Sequence, residues 1–455
     1  MDRESKPKIL SNIQIYLKQP WDLIKTGYLI LTWITMGFHL ELIGPTMPIL
    51  AANIQVTYSG MGSVLASRSA GYLVANCLGA TLQSIVKNHS EGLLFCAFVL
   101  PAIVVFATPF ITSLILMCIV SFAQGISKGF TDLGGNNLLL KMWTVNASAP
   151  LNAVHLGYGV GAVFANLLIR PFLTNRNIFV PYSITAFVCL LIALGHMFLY
   201  ILEIRNRRQK SRVEEVEESL DKSSPYSPRT CGRGSFQYGL ILSIMFIAYT
   251  FFVGGNYQTF SKFYFSFLKF EKFKLSNEDA SWGMILFWLS SSVGRFLFAI
   301  ISIFLSVNIC LSIIWAGALC LAAAWLTYVW IVGLSSMSLF LLGAITGLIF
   351  SPIFPLSFGY FNQRLNVIPM LLGLLLCGTA LGAMSSNKIA GLVMDHDPNH
   401  FPTLLAIWIL MATLLYIASH LVYFCHRRPS TDTGRECVNE EEKGVMMEIT
   451  NKENK

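Results

Sequence analysis

The chain has 455 residues, 54% of them hydrophobic and only 12% charged, with a net charge of +8. Its apolar residues fall in runs of about twenty, long enough to cross a bilayer as helices, which excludes a soluble globular domain and points to a polytopic helical membrane protein. The basic residues gather at the two ends and in one central segment, as loops on one side of a membrane do, so the positive balance is not a nucleic-acid signal.

Of the ten cysteines, Cys77, Cys96, Cys118, Cys189, Cys310, Cys320 and Cys377 lie inside apolar runs and read as small packing residues. Their spacing suggests neither a disulfide framework nor a metal site. The first twenty-odd residues are polar, and the span that follows lacks a small-residue cleavage site, so an internal start is expected rather than a removable signal peptide.

Twelve apolar runs bounded by polar turns are expected to be helices, at roughly 26–50, 60–85, 92–110, 113–140, 151–173, 180–202, 236–260, 280–305, 308–331, 336–361, 368–393 and 402–424. They make an N-terminal six-helix bundle over 26–202 and a C-terminal six-helix bundle over 236–424, with an N-terminus at 1–25 and a tail at 425–455. Between the bundles, 203–235 is too charged to enter lipid and reads as a solvated linker, within which Val213, Val216 and Leu220 would suit a short surface helix. Arg3, Lys6, Lys8, Lys18 and Lys25, then Arg205, Arg207, Arg208, Lys210 and Arg212, then Arg427, Arg428 and Arg435 all fall on one side of this arrangement. Both termini and the linker are therefore expected in the cytoplasm, where the sequons at Asn88 and Asn146 would go unused.

Six spans, a polar linker and six more spans is the layout of a major facilitator carrier, two parallel repeats with a site between them near the membrane midplane. The openings of the second and eighth spans, SGMGSVLASRSAGYL and ASWGMILFWLSSSVGRFL, keep a faint internal similarity. No glycine-rich loop followed by Lys and Ser or Thr is present to bind ATP, and GYGVG at 157–161 follows no strand, so it is not a dinucleotide fingerprint. Any driving energy would come from an ion gradient.

Ionisable side chains within a span are costly and persist where they are paired, solvated or used. The first span carries Glu41 with Pro45 and Pro48 near the same face, each proline freeing a carbonyl in mid-helix; Glu41 is a candidate acceptor for a cation or a sugar hydroxyl. In the second span Arg68 is a candidate counter-charge to Glu41 or Asp132, with Asn76 two turns on.

The fourth span contains the densest polar stretch, AQGISKGFTDLGGNNLLL at 123–140. Gln124, Lys128, Asp132 and Asn136 recur every four residues and form one stripe about 18 Å long. Lys128 and Asp132 are spaced to pair, either as a structural ion pair or as working groups. Gly125 and Gly129 make a close-packing face, while Gly134 and Gly135 are expected to loosen the helix beside Asp132. In the fifth span Asn152, His155 and Asn166 lie near one face, opposed to a close-packing face of Gly157, Gly161 and Ala165. The seventh span offers Asn256, Tyr257 and Gln258 near its outer end, amides and an aromatic that suit a sugar's hydroxyls and ring faces and equally suit an interfacial belt.

GPTMPIL in the first span, ASRSAGYL in the second, FTDLGGNNLLL in the fourth, NAVHLGYGVGA in the fifth and LFWLSSSVGRFL in the eighth together resemble the sodium-dependent glucose transporter 1 branch of the major facilitator superfamily, a group related to bacterial fucose permeases. The most specific element is the acid–Gly–Gly–Asn run, matched by Asp132, Gly134, Gly135 and Asn136. The resemblance implies hexose transport across the plasma membrane, with sodium coupling proposed, by a monomer. Departures include Gln83 and Ser84 in place of the superfamily's Asp-Arg pair, Asn256 where related carriers often place an acid, and Lys128 and Glu41 at positions that would otherwise be apolar. An ammonium built in beside Asp132 would stand in for a coupling cation.

The resulting expectation is an all-α protein of twelve transmembrane helices that moves a small neutral solute, a hexose such as glucose, by alternating access, with sodium coupling. The alternatives are an ion-independent sugar or metabolite uniporter and a non-transporting nutrient receptor on the same scaffold. No nucleophile–base set or metal cluster suggests an enzyme. Asp132 would bind the coupling cation or hold a gate beside Lys128, Glu41 and Arg68; Gln124, Asn136, His155, Asn256 and Gln258 would bind substrate; Arg295 would organise the cytoplasmic side of the second half. No cofactor is expected beyond a sodium ion near Asp132.

Overall fold

Pro20 opens the first span at a helix start, where a missing N–H costs nothing, and the helix runs Pro20–Glu41 before a break at Leu42 and a second segment, Ile43–Asn53. Pro45 and Pro48 explain the break, since neither donates to the carbonyl four residues back. In this computed structural model residues 19–427 are described, apart from 82, 144–147, 211–226 and 368. The possible linker helix around Val213, Val216 and Leu220, and Asn146, lie outside the described residues.

The remaining helices follow in the expected order. The second span is Tyr58–Thr81, trailed by a short helix Gln83–Asn88. The third is Ser90–Ala107, the fourth Leu114–Trp143, the fifth Ser148–Leu173 and the sixth Phe179–Lys210. In the second half the seventh is Phe236–Leu268, the eighth Asn277–Phe304 and the ninth Val307–Thr327. The tenth is split into Ser336–Phe350 and Ile353–Arg364 at Pro352, the eleventh is Pro369–His396 and the twelfth His400–Arg427. Eleven of these twelve segments are long and apolar enough to cross a membrane. The exception, Tyr58–Thr81, is long enough but is diluted by Ser59, Ser63, Arg68, Ser69 and Asn76.

Two expectations change. The seventh helix continues eight residues past position 260, to Leu268, which brings Lys262 inside the span. The fourth helix is continuous through Gly134 and Gly135, so these glycines do not loosen it. They let other helices approach: a Cβ on Gly135 would lie 2.1 Å from the Trp33 ring of the first span. The close-packing faces form as expected. Gly125 sits against the backbone of Arg68 in the second span and Gly161 against that of Ile34 in the first; at each, an added Cβ would come within 1.8 Å of a carbonyl oxygen.

The two halves meet chiefly along the second and eleventh spans and along the fifth and eighth. Successive spans alternate in direction, so the turns at 54–57, 174–178, 269–276 and 397–399 share one end of the bundle, here the far end. The ends of the described chain lie at the other, terminal end. Asp395 of the eleventh span accepts from the backbone N–H groups of Tyr58 and Ser59, each at 2.7 Å, and so caps the start of the second span from the opposite half. Lys388 donates to the Ser59 carbonyl at 3.0 Å and the Ser63 hydroxyl at 2.8 Å, and Arg170 pairs with Glu278. These contacts seal the far end. Nearer the terminal end the halves are joined by Arg295, which donates to the His155 carbonyl at 2.7 Å, and by the approach of Cys77 to Cys377, sulfur to sulfur 3.8 Å.

Candidate transport site

The break after Glu41 places a carboxylate and a carbonyl in the middle of the bundle, and basic side chains from both halves converge on them. Glu41 pairs with Lys262 of the seventh span and accepts from the Tyr158 hydroxyl of the fifth. The Glu41 and Lys262 side chains are each only 1% exposed. One residue back, the Leu40 carbonyl accepts from Arg68 at 3.1 Å and from Lys262 at 3.2 Å. A broken helix with a carbonyl of its last turn held by two cations, one from each half, links the two bundles at mid-depth.

Beside this link lies a cavity of about 30 Å³, lined in the first half by Leu40, Arg68, Ser69, Tyr72, Lys128 and Tyr158 and in the second by Gln258, Lys262, Thr379, Ala380, Ala383 and Asn387. That volume holds a water or two and falls far short of a hexose, and the far end of the bundle is sealed. The wall is polar where the halves meet and aromatic behind: Tyr158 and Tyr257 lie 5.9 and 6.0 Å from Trp288, ring centre to ring centre. Asn387 is held in place by Thr259, which donates to its side-chain oxygen at 3.1 Å.

Of the residues singled out in the sequence, Arg68, Lys128 and Gln258 line the cavity and Glu41 sits in its wall. Lys128 and Asp132 attract each other without a direct ion-pair contact among the described residues, and the ammonium rests over the Tyr72 ring, 4.5 Å from its centre. Asp132 is half-buried and interacts with the Tyr72 hydroxyl. Asn136, one turn further, is half-buried, and its side-chain oxygen has no hydrogen-bond partner among the described residues. Gln124 is buried in the fourth span outside the lining. The His155 ring packs edge-on against Trp33 at 5.8 Å, away from the cavity lining. Asn256 turns away too, donating to the Leu405 carbonyl of the twelfth span at 3.4 Å. Arg295 spans from the His155 carbonyl to that of Ser351, a lock between halves below the cavity.

Ser69, Tyr72, Tyr158, Lys262, Thr379 and Asn387 are the polar lining residues that sequence reasoning passed over. Asn387 and Lys388, in SSNK, interrupt an apolar span just as Lys128 and Asp132 do, and Tyr158 follows His155 by one turn; both signals were available.

The family model for the Major Facilitator Superfamily matches residues 29–382, well over half of the chain. The chain belongs to this superfamily. A curated relative, the sodium-dependent glucose transporter 1 of Xenopus laevis, is 23% identical over 419 residues, 84% of this chain and 78% of the relative. Relatives of the same name from rat, zebrafish and human match over about a third of this chain and about a quarter of their own length. Among solved structures, the nucleoside transporter NupG superposes with a TM-score of 0.63 at 14% identity, covering 88% of this chain and 98% of that one. FucP, solved in an outward conformation, gives 0.58 at 14% identity over 88% and 99%. These superfamily members share the fold, and the chain is a major facilitator transporter.

Proposed function

We propose that the chain is a secondary carrier of a hexose-sized, hydroxyl-rich solute, worked by alternating access about the Glu41–Lys262 link and independent of sodium. The observation that carries this reading is the link itself. A buried carboxylate in one half is matched by a buried ammonium in the other, so the cross-half charge pair that a coupling cation would have to complete is already complete. Lys262 thus takes the part first assigned to Lys128. Asp132, partnered by Tyr72, keeps its place as a gating group at the terminal side of the cavity.

The substrate class draws on the cavity's amides and hydroxyls set before aromatic surface, and on relatives named for glucose and fucose. Alternating access is supported by a small cavity that lies between two sets of cross-half contacts: the far end must part for one opening, the Arg295 lock for the other. With Lys and Arg concentrated at the terminal end, that end faces the cytoplasm and the carrier works as a monomer in the plasma membrane.

Purified protein in liposomes should take up labelled hexoses and exchange them for internal unlabelled solute, with equal rates in sodium and in potassium. An absence of uptake for every hexose-sized solute would overturn the carrier reading. Accumulation driven by a sodium gradient would overturn its independence of sodium.

A further inference from the structure

The charges around the cavity do not balance. Arg68, Lys128 and Lys262 line it and Arg295 stands below it, while the carboxylates at this depth are Glu41 and Asp132. His39 and His155, the histidines packed nearby, can only add positive charge. The next acids are committed elsewhere: Glu91 to His196 and Lys25, and Asp395 to the amides that start the second span.

Two of the cations are spoken for. Lys262 meets Glu41, and Arg295 meets two carbonyls. The other two present donors to the cavity. The Lys128 ammonium rests on a ring face, drawn to Asp132 without a direct ion-pair contact among the described residues, and the Arg68 guanidinium has five donor hydrogens, with one hydrogen bond to the Leu40 carbonyl. Four cations against two carboxylates leave an excess of positive charge at mid-depth, which is costly, and a solute that brings negative charge lowers that cost as it binds. A planar carboxylate matches the fork of an arginine flanked by an ammonium.

We propose that the solute is a hydroxylated monocarboxylate of hexose size, a sugar acid, whose carboxylate is received by Arg68 and Lys128 while Ser69, Gln258 and Asn387 take its hydroxyls. This rests on the carrier reading above and replaces the neutral solute expected from sequence.

The test uses the full-length protein in liposomes at neutral pH with labelled glucuronate, gluconate and glucose, alongside thermal-shift binding of the same three compounds in detergent. At least tenfold faster uptake of a sugar acid than of glucose, with a thermal shift for the acid alone, is the expected result. Lys128→Gln should narrow that preference at least tenfold and Lys128→Arg should keep it, a contrast that a purely structural role for Lys128 would not produce. Uptake of glucose without the acids would overturn the charge assignment and leave the carrier reading intact. Uptake of none of the three, with no thermal shift, would overturn both.

Discussion

Replacing Glu41 by Gln removes one charge from a pair whose side chains are each 1% exposed. Lys262 then keeps the Leu40 carbonyl as its hydrogen-bond partner, and its ammonium is left buried without a counter-ion. Breaking a buried pair from one side costs about 3–5 kcal/mol, whereas exchanging both partners for apolar groups of similar volume is often neutral or stabilising by about 1–4 kcal/mol. Glu41→Gln and Lys262→Met should therefore each unfold at clearly lower temperature in detergent. The double variant Glu41→Leu, Lys262→Met should recover the parent's stability. Transport should not recover with it, because the double variant has lost the cross-half charge pair on which we propose that the two halves rock. Thermal unfolding of the purified proteins and exchange in liposomes read the two properties separately. A double variant that is folded, stable and fully active would refute a working role for the pair, and a Glu41→Gln protein as stable as the parent would refute the buried-charge reasoning itself.

Asp395→Ala removes the cap on the second span, worth about 1 kcal/mol, and should open the far end several-fold more often, seen as faster labelling of a cysteine at Ser63→Cys by a membrane-impermeant maleimide; an unchanged rate would count against the seal. Cys77 and Cys377 should cross-link on mild oxidation with copper phenanthroline, each thiol losing a proton and an electron to the oxidant, and exchange should stop until dithiothreitol restores it. Cys377→Ser should abolish the inhibition, and inhibition that persists in that variant would show that it does not come from this pair. Gly125→Val drives a branched side chain into the Arg68 backbone and should abolish folded expression, whereas normal expression would mean the fourth and second spans are not in close contact. A tag at the N-terminus or in the 203–235 linker should be protected in intact cells and Asn88 should carry no glycan; a glycan there would reverse the orientation.

The fold was legible because lipid imposes one rule on every span, and eleven of the twelve runs between polar turns satisfy it outright, with Tyr58–Thr81 placed by its length and position. Helix ends were less so. The seventh span was expected to end near 260, yet the helix continues to Leu268 and carries Lys262, the buried partner of Glu41, inside it. Partner choice was the least legible feature. Spacing of four suggested that Lys128 meets Asp132, but helical spacing sets only which side chains share a face. The Tyr72 ring, from another helix, takes up the Lys128 ammonium. Glu41 and Lys262 are 221 positions apart, and the charge of each records no more than the need for some opposite charge nearby. Gly134 and Gly135 carry the same ambiguity: a glycine pair fits a loosened helix or a close neighbour, and the Trp33 ring decides for the neighbour.

The claim on which the account turns is that Lys262 supplies, from within the chain, the positive charge a coupling ion would bring. Solute exchange by the parent and by Lys262→Ala, each measured in liposomes with sodium, with potassium and with an imposed sodium gradient, tests it directly. The parent should be indifferent to sodium, and the Lys262→Ala protein should be inactive in potassium and at most regain exchange when sodium is added. Sodium-driven accumulation by the parent, or a Lys262→Ala protein that exchanges solute like the parent in potassium, would contradict it.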